Sequence, residues 1–314
     1  MSKKLSDKIL TILELFKRRK TGGAIGLISE NFINKNPYIW YLNKIHDNEL
    51  VPFEIYGITM YLSLTDEGIS HDLLHYGERE LEATAIMRSE FKRIKNSTQG
   101  TTTVLEIGAN RGYYAFQAAD ILGESAEIYA IEPSLDNIES LKKGISTNGF
   151  GRIIELDHCA IGAETTTGDL NLSAKSNSHT LQSIPESKSS KYSGETLEVD
   201  VYSIDDYLDI IEKQPEEIDI IRMDIEGYEW HAFQGMDLIL QSNSPVVIFV
   251  ELHPHRVEHN RLESIVDDIE HNGFELINAS SSVATDLEDF DAIKSHLDTE
   301  KGSHSVELIA KRSS

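Results

Sequence analysis

Two short stretches gather side chains that could do chemistry. Asp224, Glu226 and Glu229 follow the apolar run 218–223, and Glu251, His253 and His255 lie at the end of the run 246–252, in "VIFVELHPHR". A carboxylate or imidazole placed where a hydroxyl arrives can take its proton as a general base. The same residue types can hold a divalent cation that lowers the hydroxyl's pKa. Asp224, Glu226 and His253 are therefore the candidate catalytic residues. Asp224 with Glu251 or His253 is the candidate metal set; hard Mg²⁺ would favour the carboxylates and a softer cation would accept His253. A plainer reading stands beside this one. Glu226 and Glu229 open a helical segment, where acids suit the helix dipole, and His253-Pro254-His255 could be a polar loop.

A third stretch, Val104 to Tyr114 or "VLEIGANRGYY", reads as a strand, a glycine turn and a helix. Such turns sit at the carboxyl ends of parallel strands, where open sheets bind ligands. The pattern is Glu106-x-Gly108-x-Asn110-x-Gly112. A dinucleotide fingerprint has glycine where Asn110 stands. Glu106 would repel a pyrophosphate but suits a cationic, phosphate-free nucleoside. S-adenosylmethionine has that character. Glu132, 20 residues after Gly112 in "IYAIEPS", supplies a carboxylate where ribose hydroxyls would lie. The loop in "HCAIG", from Asp157 to Ala160, is placed to wall an adenine, and Asn110 and Tyr114 to flank the methionine end. The expected cofactor set is Glu106, Gly108, Asn110, Gly112, Tyr114, Glu132, Asn137 and Ala160. His179 could reach an acceptor.

Alternating strands and helices must position these groups. Apolar runs at 103–107, 127–131, 153–161, 218–223 and 246–252 alternate with helical segments near 113–122, 134–147, 203–213, 228–241 and 258–272. That alternation predicts an α/β fold with a mostly parallel sheet covered on both faces. Runs at 274–279 and 305–310 could close it as an antiparallel edge pair. Upstream, Phe53 to Tyr56 and Thr59 to Leu62 suggest short strands, and 78–95 a helix. The Ser-rich stretch 174–198 predicts an exposed excursion or lid.

Residues 4–18 carry Leu5, Ile9, Ile12, Leu13 and Phe16 at helical spacing, with Lys17 to Lys20 behind them. The spacing fits a helix packed on its own domain. It also leaves open a peripheral membrane contact or the pairing of two subunits.

The 314 residues carry a net charge of −24, which repels phosphate backbones and argues against a nucleic-acid partner. The acidity also suits a high-salt host. Cys159 is the one cysteine, so no disulfide can form within the chain and a reducing, cytoplasmic setting is expected. In an apolar run it reads as a core residue. No run approaches the roughly 20 apolar residues that span a bilayer.

The stretches "VLEIGANRGYYAFQAA", "IYAIEPSLDNIESLKKGISTNGF", "HCAIG", "VDVYSIDDYL" and "IDIIRMDIEGYEWHAFQGM", in that order, resemble the FkbM family of S-adenosylmethionine-dependent methyltransferases. The resemblance spans about residues 70–255. Its most specific piece is Arg222-Met223-Asp224-Ile225-Glu226-Gly227-Tyr228-Glu229, where the family usually has Lys at the position of Arg222. Gly77-Glu78-Arg79-Glu80 resembles the Gly-x-x-Glu that precedes the family's first strand. The resemblance implies a Rossmann-like seven-stranded methyltransferase sheet and methyl transfer to oxygen, often on a sugar or polyketide hydroxyl. The chain is expected to divide into an accessory segment over 1–100 and the methyltransferase domain over 101–314. The expected function is an O-methyltransferase acting on a glycan, glycolipid or other sugar-containing acceptor. Methylation of a non-sugar small molecule and a non-catalytic adenosine-binding regulator are the alternatives. A dehydrogenase is weaker, because Asn110 breaks the glycine pattern.

Overall fold

A computed structural model describes residues 50–313 apart from 99, 174, 177, 182–191, 282–286 and 299–304. The expected helix over 4–18, with its basic end, lies outside the described residues.

The continuous apolar runs form the centre of the sheet. β3 (Thr102–Ile107), β4 (Ala126–Ile131), β9 (Ile218–Met223) and β10 (Val246–Leu252) are almost entirely buried. The remaining strands are β1 (Leu50–Ile55), β2 (Ile58–Ser63), β5 (Ile154–Asp157), β6 (Ala160–Ile161), β7 (Thr166–Ser173), β8 (Tyr192–Tyr202), β11 (Glu275–Ser281) and β12 (Val306–Arg312). The main sheet has seven strands in the order β11-β12-β10-β9-β3-β4-β5. β10, β9, β3, β4 and β5 run parallel; β12 is antiparallel to both β10 and β11. This is the expected Rossmann-like seven-stranded sheet with its antiparallel edge.

The helices are α1 (Ile69–Tyr76), α2 (Leu81–Ser97), α3 (Tyr113–Leu122), α4 (Leu135–Asn148), α5 (Ile204–Ile210), α6 (Glu229–Phe233), α7 (Asp237–Gln241), α8 (His259–His271) and α9 (Phe290–Leu297). α8 shows why they form: Leu262, Ile265, Val266 and Ile269 share one face and are fully buried. Strand side chains alternate, so they build two cores. Leu105, Ile221 and Ile248 pack on one face with α8, whereas Val104, Ile220 and Phe249 pack on the other with Phe91 of α2 and Phe116 of α3. The β1–β2 hairpin turns at Tyr56 and Gly57, both left-handed, and its Met60 and Leu62 join that second core.

Three boundaries differ from the sequence reading. The run 153–161 is not one strand. β5 ends at Asp157, and Ala160–Ile161 pairs with β8 in a separate three-stranded sheet, β6-β8-β7. The segment 228–241 is two short helices broken around Gly235, whose added Cβ would meet the Gly162 carbonyl at 2.4 Å. Part of the expected excursion, 192–198, is strand, because β7 supplies the pairing that its polar sequence does not announce.

Candidate active site

The turn after β3 is built for close approach. Gly108 has φ +81, and the Gly108 and Ala109 N–H groups each donate to the Ile131 carbonyl at 3.0 Å. Asn110 is also left-handed, with φ 50, a conformation that asparagine tolerates better than most residues. That explains how it replaces glycine here.

Glu132 organises the turn. Its Oε2 accepts the Asn110 N–H at 2.8 Å; its Oε1 accepts the Ser134 N–H at 2.9 Å and the Asn137 Nδ2–H at 3.1 Å. Burial raises its proton affinity, and these donors oppose the rise. A carboxylate has about four acceptor positions, so one on Oε2 remains for a ligand. The Nδ2 groups of Asn110 and Asn137 also converge on the Ser176 carbonyl, at 3.1 and 3.2 Å. Ser176 is anchored in turn by Asp66, which accepts its N–H at 2.8 Å and its hydroxyl at 2.7 Å. Thr180 donates to the Glu226 carbonyl at 3.2 Å. Ser176 and Thr180, expected in an exposed excursion, are therefore buried against the cleft.

A cleft opens at these strand ends. Gly108, Asn110, Glu132, Ala160, Asp224 and Glu226 all line it, and so does His179. Cys159 lies in its wall, where burial pushes the thiol up to about 12. His179 accepts the Ser173 N–H on Nδ1 at 2.9 Å, so its proton sits on Nε2. The cleft lining has carboxylates and no Lys or Arg among the described residues. That character fits a sulfonium nucleoside and not a pyrophosphate.

Four members of the expected set sit elsewhere. Glu106 does not line the cleft. β3 turns it to the opposite sheet face, where it is fully buried and its cation is Arg222, at 3.2 Å. Burial pushes Glu106 up to about 7 against the pull of Arg222. Tyr114 points the same way: its hydroxyl donates to Glu80 at 2.6 Å and its ring lies 4.4 Å from the Arg222 guanidinium. Gly112 packs under Phe116 and Leu141, and Asn137 acts behind Glu132. Tyr114, Arg222, Glu80, Glu251 and Glu307 line a second cavity beneath α2. Glu307 directly opposes Glu251 across β10 and β12, and burial pushes it up to about 7.

The two acidic stretches meet at His253, which is 2% exposed. Its Nδ1 lies 2.9 Å from Glu229 Oε1, which already accepts the N–H groups of Gly227 and Ile225. Nδ1 is therefore the donor. Nε2 faces Asp224 Oδ1 at 3.8 Å, Glu226 Oε2 at 3.8 Å and Glu251 Oε1 at 3.7 Å. Burial works to lower the imidazole's pKa, but the Glu229, Glu226 and Glu251 carboxylates outweigh it and hold it well above its ordinary value. Against burial, Arg222 and then His253 keep Asp224 low. Burial raises Glu226 despite His253, and burial followed by Asp224 pushes Glu251 up to about 8. Arg222 also pairs with Asp224 Oδ2 at 3.0 Å, and Arg256 with Glu226 Oε2 at 2.8 Å.

The sequence reading missed the roles of Asp66, Ser176, Arg256 and Glu307. Each acts through a contact from a distant segment, and no motif marks them.

The model of the methyltransferase FkbM domain matches residues 106–276, more than half of the chain. The chain belongs to the FkbM methyltransferase family. An FkbM-type chain of this kind is an S-adenosylmethionine-dependent methyltransferase. Among solved structures, the FkbM methyltransferase of Methylobacillus flagellatus KT is 14% identical, with a TM-score of 0.39, over 68% of this chain and 45% of that one. The chain thus spans less than half the length of that relative. M. jannaschii TYW2 in complex with AdoMet is 13% identical, with a TM-score of 0.41, over 85% of this chain and 87% of that one. The M. jannaschii tRNA m1G37 methyltransferase is 11% identical, with a TM-score of 0.41, over 86% and 58%. No curated protein matches the chain. Among the described residues no helix is long and apolar enough to cross a membrane.

Proposed function

We propose that this FkbM methyltransferase moves the methyl group of S-adenosylmethionine to a hydroxyl oxygen on a sugar-containing acceptor, such as a glycan or glycolipid. One observation carries the reading: the turn that fits the donor and the carboxylates that could activate an acceptor line the same cleft. The donor would supply an electrophilic methyl on a sulfonium. Asn110 and Glu132 would bind its nucleoside, with Ala160 at the base.

In-line displacement requires the acceptor oxygen to be aligned and relieved of its proton. Asp224 and Glu226 would accept the hydroxyl's hydrogen bond and orient it. His253, charged by its neighbours, would hold these carboxylates in place, and the proton would pass to a carboxylate of the cluster. A divalent cation at the same cluster, Mg²⁺ or another, would serve the same end by lowering the hydroxyl's pKa. The acidic surface favours acceptors without phosphate backbones.

Calorimetric titration with S-adenosylmethionine tests the donor; no binding by the wild type would sink the reading. Transfer of labelled methyl to a panel of oligosaccharides and glycolipids tests the acceptor, with a methyl ether as the expected product. Label found only on non-sugar acceptors would replace this substrate class. Asp224→Asn and His253→Ala should spare donor binding and reduce turnover.

A further inference from the structure

The geometry points to a divalent-cation site formed by His253 Nε2, Asp224 Oδ1 and Glu226 Oε2, with Glu229 as the outer partner that aims the imidazole.

The tautomer comes first. Glu229 Oε1 accepts two backbone N–H groups, so the 2.9 Å contact makes His253 Nδ1 a third donor to it. A cation entering here displaces the Nε2 proton of the charged ring, and Nε2 then offers the ion a lone pair. The ring is 2% exposed, and among the described residues Nε2 makes no hydrogen bond; carboxylate oxygens of Asp224, Glu226 and Glu251 stand 3.7–3.8 Å from it. A ring nitrogen and carboxylate oxygens that face one another at distances longer than a hydrogen bond are arranged as ligands that share a cation. A carboxylate on the far nitrogen is also the usual outer partner of a metal-bound histidine, fixing both its tautomer and its angle.

The spacing agrees. One donor atom from each of Asp224, Glu226 and His253 lies within 4.8 Å of the other two, and the Asp224 and Glu226 edges to Nε2 are both 3.8 Å. A point equidistant from three atoms so spaced lies roughly 2.2–2.5 Å from each, the span of bonds to divalent cations of manganese to calcium size. Asp224 Oδ1 is available because Arg222 takes Oδ2. Arg256 shares Glu226 Oε2, which has a second lone pair. Glu251 stands outside the three-atom set, although the sequence pairs it with Asp224 as a metal ligand. Its Oε1 stands 3.7 Å from Nε2, but β10 directs the side chain to the second cavity and not to the three-atom set.

Charge balance points the same way. The carboxylates of Glu80, Glu106, Asp224, Glu226, Glu229 and Glu251 surround the guanidiniums of Arg79, Arg222 and Arg256. Acidic side chains outnumber guanidiniums in this largely buried cluster, an excess that a divalent cation would offset. One imidazole with two carboxylates suits Mn²⁺ or a similar borderline cation better than Mg²⁺ alone. The cation's effect on an acceptor hydroxyl rests on the methyl-transfer reading; its binding does not.

The test is a titration of the chelator-treated full chain with Mn²⁺, followed by the electron paramagnetic resonance of the free ion. One ion per chain should bind more tightly than the diffuse uptake of an acidic surface. Asp224→Asn and Glu226→Gln should each weaken that site at least tenfold. Glu229→Gln should weaken it by about 10–100-fold by loosening the imidazole. Glu139→Gln, an exposed acid paired with Lys143 on α4, should leave it unchanged. Circular dichroism on each variant separates loss of the site from loss of the fold. Absence of a tight ion in the folded wild type, or tight binding untouched by Asp224→Asn and Glu226→Gln, overturns the site. S-adenosylmethionine titrated with chelator present reads the donor separately, so either reading can fail without the other.

Discussion

Gly108 lies directly against the main-chain carbonyl of Asp224: a Cβ at position 108 would stand 2.1 Å from that oxygen. The turn after β3 and Asp224 are therefore in contact through backbone, and the Asp224 N–H donates to the Ile107 carbonyl at 3.1 Å across the same junction. Gly108→Ala should push the two strand ends apart. It also forces a side chain onto φ +81. We expect a loss of about 1–3 kcal/mol in denaturant unfolding together with weaker donor binding. Unchanged stability and affinity would show that the junction relaxes freely.

Glu132→Gln should weaken S-adenosylmethionine binding by about tenfold or more. An amide nitrogen would then face one of the N–H donors from Asn110, Ser134 or Asn137, leaving a buried donor unpaired. Calorimetry checks the affinity. Wild-type affinity in the variant would mean that Glu132 shapes neither the turn nor the ribose site.

Arg222 stands where the family usually has lysine. Its guanidinium reaches Glu106 with Nη1 and Asp224 with Nη2, and stacks on Tyr114. A compact ammonium cannot make both contacts in the same way. Arg222→Lys should fold with a modest fall in melting temperature. Arg222→Leu should cost about 3–5 kcal/mol, because two buried carboxylates lose their partner. Equal stability of the two variants would contradict the paired arrangement.

Asp66 ties Ser176 to the cleft. Burial works to raise its pKa, but the Ser176 N–H and hydroxyl, with Arg111 at 3.5 Å, outweigh it and hold the carboxyl below its usual value. The folded pKa is depressed, so the stabilisation is present above the unfolded carboxyl range and is lost as pH falls through the folded value. Asp66→Asn should therefore cost stability at pH 7, about 1–3 kcal/mol. The gap to wild type should close progressively below about pH 4. A gap that is constant from pH 7 down to pH 3 would refute the assignment.

Much of this molecule was legible in the chain itself. Buried strands 102–107, 126–131, 218–223 and 246–252 are written as continuous Ile- and Val-rich runs, and amphipathic spacing marks helices such as His259–His271. Those patterns follow from burial on two faces or one, so they determine a parallel α/β sheet. The left-handed positions in the turn are local too, which is why Gly108 and Asn110 stand out from the residue pattern alone.

What lies across the sheet was decided only by the tertiary structure. Strand side chains alternate between faces, but sequence does not say which face carries the cleft. Glu106 and Tyr114 therefore looked like donor ligands and instead surround Arg222 on the far side. Glu229 reads as a helix-opening acid until the fold brings it to His253 from 24 residues away. Asp66 and Ser176, 110 residues apart, carry no motif at all. The turn chemistry is set by neighbours in the chain, whereas the proton and charge chemistry is set by distances of 3–4 Å between segments that only folding brings together.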